Sequence, residues 1–257
     1  MQQLRHWYQG PLASFDTETT GVDVEQDRIV SAALVVQTAP ATRLRIRTWL
    51  ADPGIPIPEQ ARAVHGITDD HARTHGRPPR TVAVELALAL AEQSRAGVPL
   101  VVMNAPYDLT LLDRELRRHA AASLTEVLDG AELLVLDPRV LDKHLDRYRK
   151  GRRTLTDLCA YYGVPLLGAH DAAADAAAAL ELVRAVAARH AERLGALSPA
   201  DLHLRQALWH AAQARGLERW FERSGVPEEV DTAWPLRPAR CPCGERLEPG
   251  HACELAA

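Results

Sequence analysis

Ser14-Phe15-Asp16-Thr17-Glu18-Thr19-Thr20-Gly21 is the stretch on which the rest of the chain turns. It continues an apolar run, Leu12 to Phe15, that reads as a β-strand. Alternate side chains of a strand share a face, so Asp16 and Glu18 project together from one side. Two carboxylates side by side on the apolar edge of a sheet repel each other and resist desolvation, and a divalent cation would neutralise them. The competing reading is a solvated strand end, where acids are ordinary. Alone, the Asp-x-Glu pair is weak; the Thr19-Thr20-Gly21 that follows strengthens the metal reading.

Outward from this strand, Arg28 to Thr38 and Thr42 to Leu50 read as two more strands, so the first third is an antiparallel meander. The Pro-rich turn Asp52 to Pro58 stops it, and a helical patch over Glu59 to Val64 and the loop His65-Gly66-Ile67-Thr68 follow. Apolar residues at helical spacing (Val82, Leu86, Leu90) predict a helix from Pro79 to Ala96. A buried strand from Val98 to Met103 and a helix from Tyr107 to His119 come next. A strand over Glu132 to Leu136, helices from Pro138 and from Leu155 to Tyr162, and a long alanine-rich helix from Asp171 to Leu194 complete the pattern. A meander followed by alternating strands and helices predicts an α/β domain with a mixed central sheet and helices on both faces, over residues 1–195. Residues 196–257 read as a mainly helical C-terminal extension. Ser198 and Pro199 open its helix, which is expected to break at Gly216 and resume over 217–223.

Composition narrows the classes. A chain of 257 residues, 47% of them hydrophobic, can bury a sizeable core, and three of its four cysteines fall in the last 17 residues, which excludes a disulfide framework. No run of about 18 apolar residues occurs and the amino terminus lacks a signal-peptide pattern, so a cytoplasmic protein without a membrane span is expected. A formal net charge of −4 lacks the basic surplus of a duplex-DNA reader.

Two further constellations carry chemistry. Asn104-Ala105-Pro106-Tyr107-Asp108 joins a strand to a helix and puts Asp108 in the first helical turn. The helix dipole favours an acid there, and the carboxyl end of a strand is also where sites are built. In His170-Asp171-Ala172-Ala173-Ala174-Asp175, Asp171 caps the long helix and Asp175 lies one turn inside it, with His170 on the preceding loop. An acid on an alanine-lined face beside an imidazole suits a metal ligand next to a general base. The basic run Arg147 to Arg153 suits phosphate contacts or a solvated loop equally. Cys241, Cys243, His251 and Cys253 are enough for one tetrahedral Zn²⁺, although Cys-x-Cys is tighter than the common finger spacing; the alternative is a tail with incidental cysteines. Cys159 reads as a small core residue.

Together these segments resemble the DEDDh exonucleases, the family of the proofreading ε subunit of bacterial DNA polymerase III. The resemblance is carried by residues 15–21, by Val64-His65-Gly66-Ile67-Thr68, by residues 104–108, and by His170 with Asp175. It covers roughly residues 9–194. It implies an RNase H-like fold and a 3′→5′ exonuclease releasing nucleoside monophosphates, with single-stranded or frayed DNA favoured over RNA. Asp16, Glu18, Asp108 and Asp175 would bind two ions, Mg²⁺ or Mn²⁺, and His170 would deprotonate the attacking water. Thr17, Thr19, Thr20 and Gly21 would meet the terminal nucleotide, with Val64, His65, Asn104 and Tyr107 around it. A polymerase partner, an RNase T-like or oligoribonuclease-like exoribonuclease, and an inactive adaptor stay open as alternatives.

Overall fold

The computed structural model describes residues 6–226, 228 and 230–239. Leu12–Thr19 (β1), Ile29–Gln37 (β2) and Arg45–Leu50 (β3) form the antiparallel meander that their alternating pattern predicts. Leu100–Val101 (β4) and Val135–Leu136 (β5) add in parallel, giving one sheet in the order β3-β2-β1-β4-β5. These last two ladders are shorter than the apolar runs around them. Val102, fully buried just past β4, still donates its backbone N–H to Leu136 O at 3.1 Å, so the pairing reaches one residue beyond the assigned strand.

Glu59–His65 (α1) and Asp69–His75 (α2) follow the Pro-rich turn. α2 has no apolar periodicity to announce it, and is started by Thr68, whose side chain accepts from His71 N at 3.2 Å. Pro79–Arg95 (α3), Ala105–Ala120 (α4) and Leu124–Leu128 (α5) cover one face of the sheet, and Pro138–Leu145 (α6), Leu155–Tyr162 (α7) and Ala172–Arg189 (α8) the other. The alanine-rich helix ends earlier than its composition predicts: His190 leaves helical geometry at φ −115°, ψ 34°, and Ala191–Leu194 (α9) is a separate turn. Pro199–Arg223 (α10) runs unbroken through Gly216, contrary to the predicted break. One interior glycine costs a helix about 1 kcal/mol, less than the packing of a helix that buries Leu202, Gln206 and Ala214.

Strand alternation divides β1 between two cores. Ala13 and Phe15 face Leu86 and Leu90 of α3 and Leu109 and Leu112 of α4. Leu12 faces Ala176, Ala179 and Val183 of α8, whose small side chains let the helix lie close to the sheet. Asp16 and Glu18 therefore emerge on the α8 side, while Thr17 emerges towards α4. The β1–β2 register shifts between Glu18 and Thr19, a bulge that re-aims the chain as it leaves the strand.

The C-terminal extension is tied to this domain. β5 is an edge strand, and α10 supplies its missing partners. Gln206, fully buried, accepts from Asp137 N at 2.8 Å and donates to Val135 O at 3.1 Å, while His203 Nδ1 accepts from Val135 N at 3.0 Å. Residues 231–239 then run along α4: Trp234 is buried beside the His203 ring, Arg237 N donates to Thr110 Oγ1 at 3.0 Å, and Arg114 donates to Pro238 O at 2.9 Å. The expected zinc ligands Cys241, Cys243, His251 and Cys253 lie outside the described residues. Among the described residues no helix is long and apolar enough to cross a membrane. Cys159 is buried with a free thiol, as its place on an apolar helix face predicts.

Candidate active site

Three elements converge at the carboxyl end of β1. Asp16 and Glu18 come from the strand and Asp175 from the first turn of α8, and one carboxylate oxygen of each lies within 4.8 Å of the others. α8 begins where it does because Asp171 caps it, accepting from Ala174 N at 2.9 Å. His170, in the left-handed region at φ +69°, turns the chain into the helix, and its backbone N–H donates to Asp175 Oδ2 at 3.1 Å. The other oxygen, Asp175 Oδ1, is buried without a hydrogen-bond partner.

Asp108 approaches from α4. Its Oδ1 accepts from Thr17 Oγ1 at 2.7 Å and from Thr17 N at 3.1 Å, so Thr17 gives both its donors to fixing this carboxylate. Asp108 lies outside the three-carboxylate cluster but close enough for its charge to act on Asp16. Burial, then the charges of Asp108, Asp175 and Glu18, push the Asp16 carboxyl well above its usual range. Burial chiefly, with the charges of Asp175 and Asp108, raises Glu18 to about 7. Burial raises Asp108 to about 7 against the lowering effect of the Thr17 bonds, and burial also raises Asp175. Among the described residues no Lys or Arg forms an ion pair with any of these four acids. Such a group is electrostatically incomplete. Oxygen-only donors, an orphaned Asp175 Oδ1 and mutual repulsion fit a hard divalent cation.

The turn leaving β1 is rigidly built. Thr19 Oγ1, Tyr107 Oη and Gly21 O form a triangle in which Thr19 and Tyr107 oxygens lie 2.7 Å apart and Thr19 donates to Gly21 O at 2.6 Å. Thr20 is almost fully buried: its hydroxyl donates to Asp27 at 2.7 Å and accepts from Arg28 N at 3.0 Å. It braces the turn from behind. A Cβ on Gly21 would lie 2.5 Å from the Asp27 carboxylate, which explains glycine there.

His65 ends α1, held by the left-handed Gly66 (φ +75°), and its Nδ1 accepts from Ile67 N at 3.0 Å. Its Nε2 is buried and makes no well-formed hydrogen bond among the described residues; burial lowers its pKa, the nearby Thr19 backbone opposes this, and the charge of His170 lowers it further. Val64 is half exposed and His170 is exposed. Asn104 takes a left-handed conformation (φ +63°, ψ 48°), and Asp137 holds it there, accepting from Asn104 N at 3.2 Å and Ala105 N at 3.1 Å. Its side chain accepts from Arg139 at 2.6 Å and so faces α6.

The basic run divides in two. Arg149 and Arg153 turn inward to Asp142, at 3.2 and 2.6 Å, whereas Arg152 is 83% exposed and, among the described residues, pairs only with Asp157 at 3.4 Å. Sequence reasoning missed Asp142 and Asp137, buried acids whose partners come from other elements. The position of Asp137 immediately before Pro138, an N-cap before Pro at N1, was a readable signal.

The exonuclease family RNase_T matches residues 14–183. The chain is 30% identical over 185 residues to the DNA polymerase III subunit epsilon of Treponema pallidum, covering 71% of this chain and 79% of that one. It is 29% identical over 181 residues to the PolC-type DNA polymerase III of Lacticaseibacillus paracasei, covering 70% of this chain but only 12% of that protein. In three dimensions it is similar to E. coli exonuclease I in complex with a dT13 oligonucleotide, with a TM-score of 0.58 at 19% identity over 72% of this chain and 42% of that one. The exonuclease I of Methylocaldum szegediense gives a TM-score of 0.56 at 20% identity over 82% and 46%. At these identities the structural likeness speaks for the fold.

Proposed function

Because the chain belongs to the RNase_T exonuclease family, we propose that it is a 3′→5′ exonuclease of the DEDDh type. It removes nucleoside monophosphates from the 3′ ends of single-stranded or frayed DNA. The observation that carries this reading is the convergence of Asp16, Glu18 and Asp175 within 4.8 Å, with no Lys or Arg ion-paired to them among the described residues. Asp16, Glu18, Asp108 and Asp175 would hold two divalent ions, Mg²⁺ or Mn²⁺. When bound, such ions lower the pKa of water and stabilise charge on the scissile phosphate.

The chain's own groups do the rest. Thr17 fixes the Asp108 carboxylate, and the Thr19–Tyr107–Gly21 triangle gives the terminal sugar a rigid wall. His65 and Val64, at the end of α1, border the terminal base. His170, on the loop that also orients Asp175, accepts the proton of the attacking water. Water adds to phosphorus, the bond to the 3′ oxygen of the preceding nucleotide breaks, and the shortened strand keeps a 3′ hydroxyl.

DNA as substrate is supported by the names of the relatives, which are DNA polymerase subunits, and by the oligodeoxynucleotide bound to E. coli exonuclease I. The same names support a setting beside a DNA polymerase. A 5′-labelled oligodeoxynucleotide incubated with the full chain and Mn²⁺ is expected to give a ladder shortening from the 3′ end. An intact oligonucleotide would instead support a non-catalytic adaptor. Matched RNA in parallel tests the sugar preference.

A further inference from the structure

The loop Arg147-Tyr148-Arg149-Lys150-Gly151-Arg152-Arg153 joins α6 to α7 with five cations and no acid, in a chain whose formal net charge is −4. The cations differ in what they meet. Arg149 and Arg153 are committed to Asp142, and Arg152 pairs with Asp157. Arg147 and Lys150 are exposed, and among the described residues neither has a carboxylate within ion-pair distance. Asp146, which precedes the loop, accepts from the Tyr161 hydroxyl at 3.2 Å. Set against these three acids the loop keeps a positive surplus. Two further arginines stand beside it, Arg189 donating to the Tyr161 hydroxyl at 3.3 Å and Arg193 to Leu145 O at 3.2 Å.

Aromatic rings are interleaved with these cations. Tyr148 is 87% exposed, and the Arg147 guanidinium lies 5.6 Å from its ring centre. Tyr161 is 38% exposed, with Arg149 and Arg189 over it at 4.8 and 4.7 Å. A loop that served solubility alone would gain nothing from an aromatic ring left in water between two unpaired cations. Charge beside an accessible ring is what a single strand uses, its phosphates meeting the cations and its bases the ring. The loop also shares a layer with the acidic site. α8 carries Asp175 in its first turn and Arg189 as its last residue, so at about 1.5 Å per residue the two positions are about 21 Å apart. Residues 163–170 lead from the end of α7 back to His170.

We propose that this loop is a second contact for single-stranded nucleic acid, holding the strand upstream of the scissile bond, with Arg147 and Lys150 on its phosphates and Tyr148 under a base. A strand stacked at about 3.4 Å per nucleotide needs about six nucleotides to cover the 21 Å along α8, so long strands gain the contact and very short ones do not. The inference rests on the exonuclease reading and gives that enzyme a preference for length.

The test compares the full-length wild type with Arg147→Gln plus Lys150→Gln, with the charge-keeping pair Arg147→Lys plus Lys150→Arg, and with Tyr148→Ala. The substrates are a thymidylate trinucleotide and a long oligothymidylate. For the Gln pair, KM on the long strand relative to the trinucleotide is expected to rise roughly tenfold. The dependence of log KM on log salt for the long strand should weaken by about 0.7 for each cation removed. The charge-keeping pair restores both, which separates a lost contact from a damaged fold. Tyr148→Ala should raise KM on the long strand about fivefold with its salt slope intact, since stacking on a neutral ring releases no counterions. An unchanged ratio and slope in the Gln pair, or equal losses on both substrates, overturns the proposal. Wild type that cleaves neither substrate would sink the exonuclease reading beneath it. Fluorescence anisotropy of the labelled long strand in EDTA then judges the loop alone, and a Kd and salt slope unaltered by the Gln pair overturn it.

Discussion

Asp142 on α6 and Glu18 on β1 are both buried acids, 0% and 8% exposed, yet their surroundings are opposite. Asp142 accepts from Arg153 at 2.6 Å, from Arg149 at 3.2 Å and from the Tyr162 hydroxyl at 3.0 Å. Asp113, equally buried, has Arg114 and Arg117 at 2.7 Å and Leu124 N at 2.9 Å. Glu18 has three other carboxylates for neighbours and a pKa pushed to about 7. A fold that provides arginines for Asp142 and Asp113 could provide one for Glu18; where it does not, the missing charge belongs to something the protein binds. Compensated acids hold the structure together, and uncompensated ones mark the place of chemistry.

The contrast can be broken most sharply by neutralising one acid of each kind. Asp16→Ala should abolish the 3′ ladder, a loss on the order of 10³-fold in kcat/KM, because a lost metal ligand removes several kcal/mol of transition-state stabilisation. A variant within tenfold of wild type would remove Asp16 from the site. Asp142→Asn should leave Arg149 and Arg153 without their shared anion. A cost of about 3 kcal/mol lowers Tm by roughly 6–12 °C in thermal unfolding without metal.

Asp16→Asn should do the reverse. Relieving about 1 kcal/mol of repulsion raises the metal-free Tm by about 2–4 °C, and a fall would mean that the acids are compensated after all. Smaller still is the pH effect on wild type. Carboxyls whose folded pKa is raised stabilise the fold below their unfolded value, and that contribution fades as pH rises through the folded one. For Glu18 the window runs from 4.5 to about 7. The Tm increment produced by Mn²⁺ should therefore be larger at about pH 8 than at about pH 6, since the cation must displace protons at the lower pH. Equal increments would argue that Mn²⁺ binds elsewhere.

How much of this was legible in the sequence follows from the range of the interactions. Asp16 and Glu18 could be read as neighbours because strand period alone puts them on one face, and Asp171 as a cap because capping is local. The capping box of α5, Ser123 with Glu126, was local too and could have been found. The pairing of Asp142 with Arg149 and Arg153 could not, because side-chain direction within a basic run is decided by what packs beneath it. Neither could the role of Gln206, whose amide stands in for a strand at the edge of β5. Gly216 misled because a local helix penalty was weighed without the tertiary packing that outweighs it.

The central claim is that the acidic group is completed by a divalent cation. Calorimetric titration of the full chain with Mn²⁺ at about pH 7, in two buffers of different ionisation enthalpy, addresses it directly. Binding should release protons, and both the binding and the buffer dependence should disappear in Asp16→Asn. Binding that survives this substitution, or that releases no protons, would contradict the account.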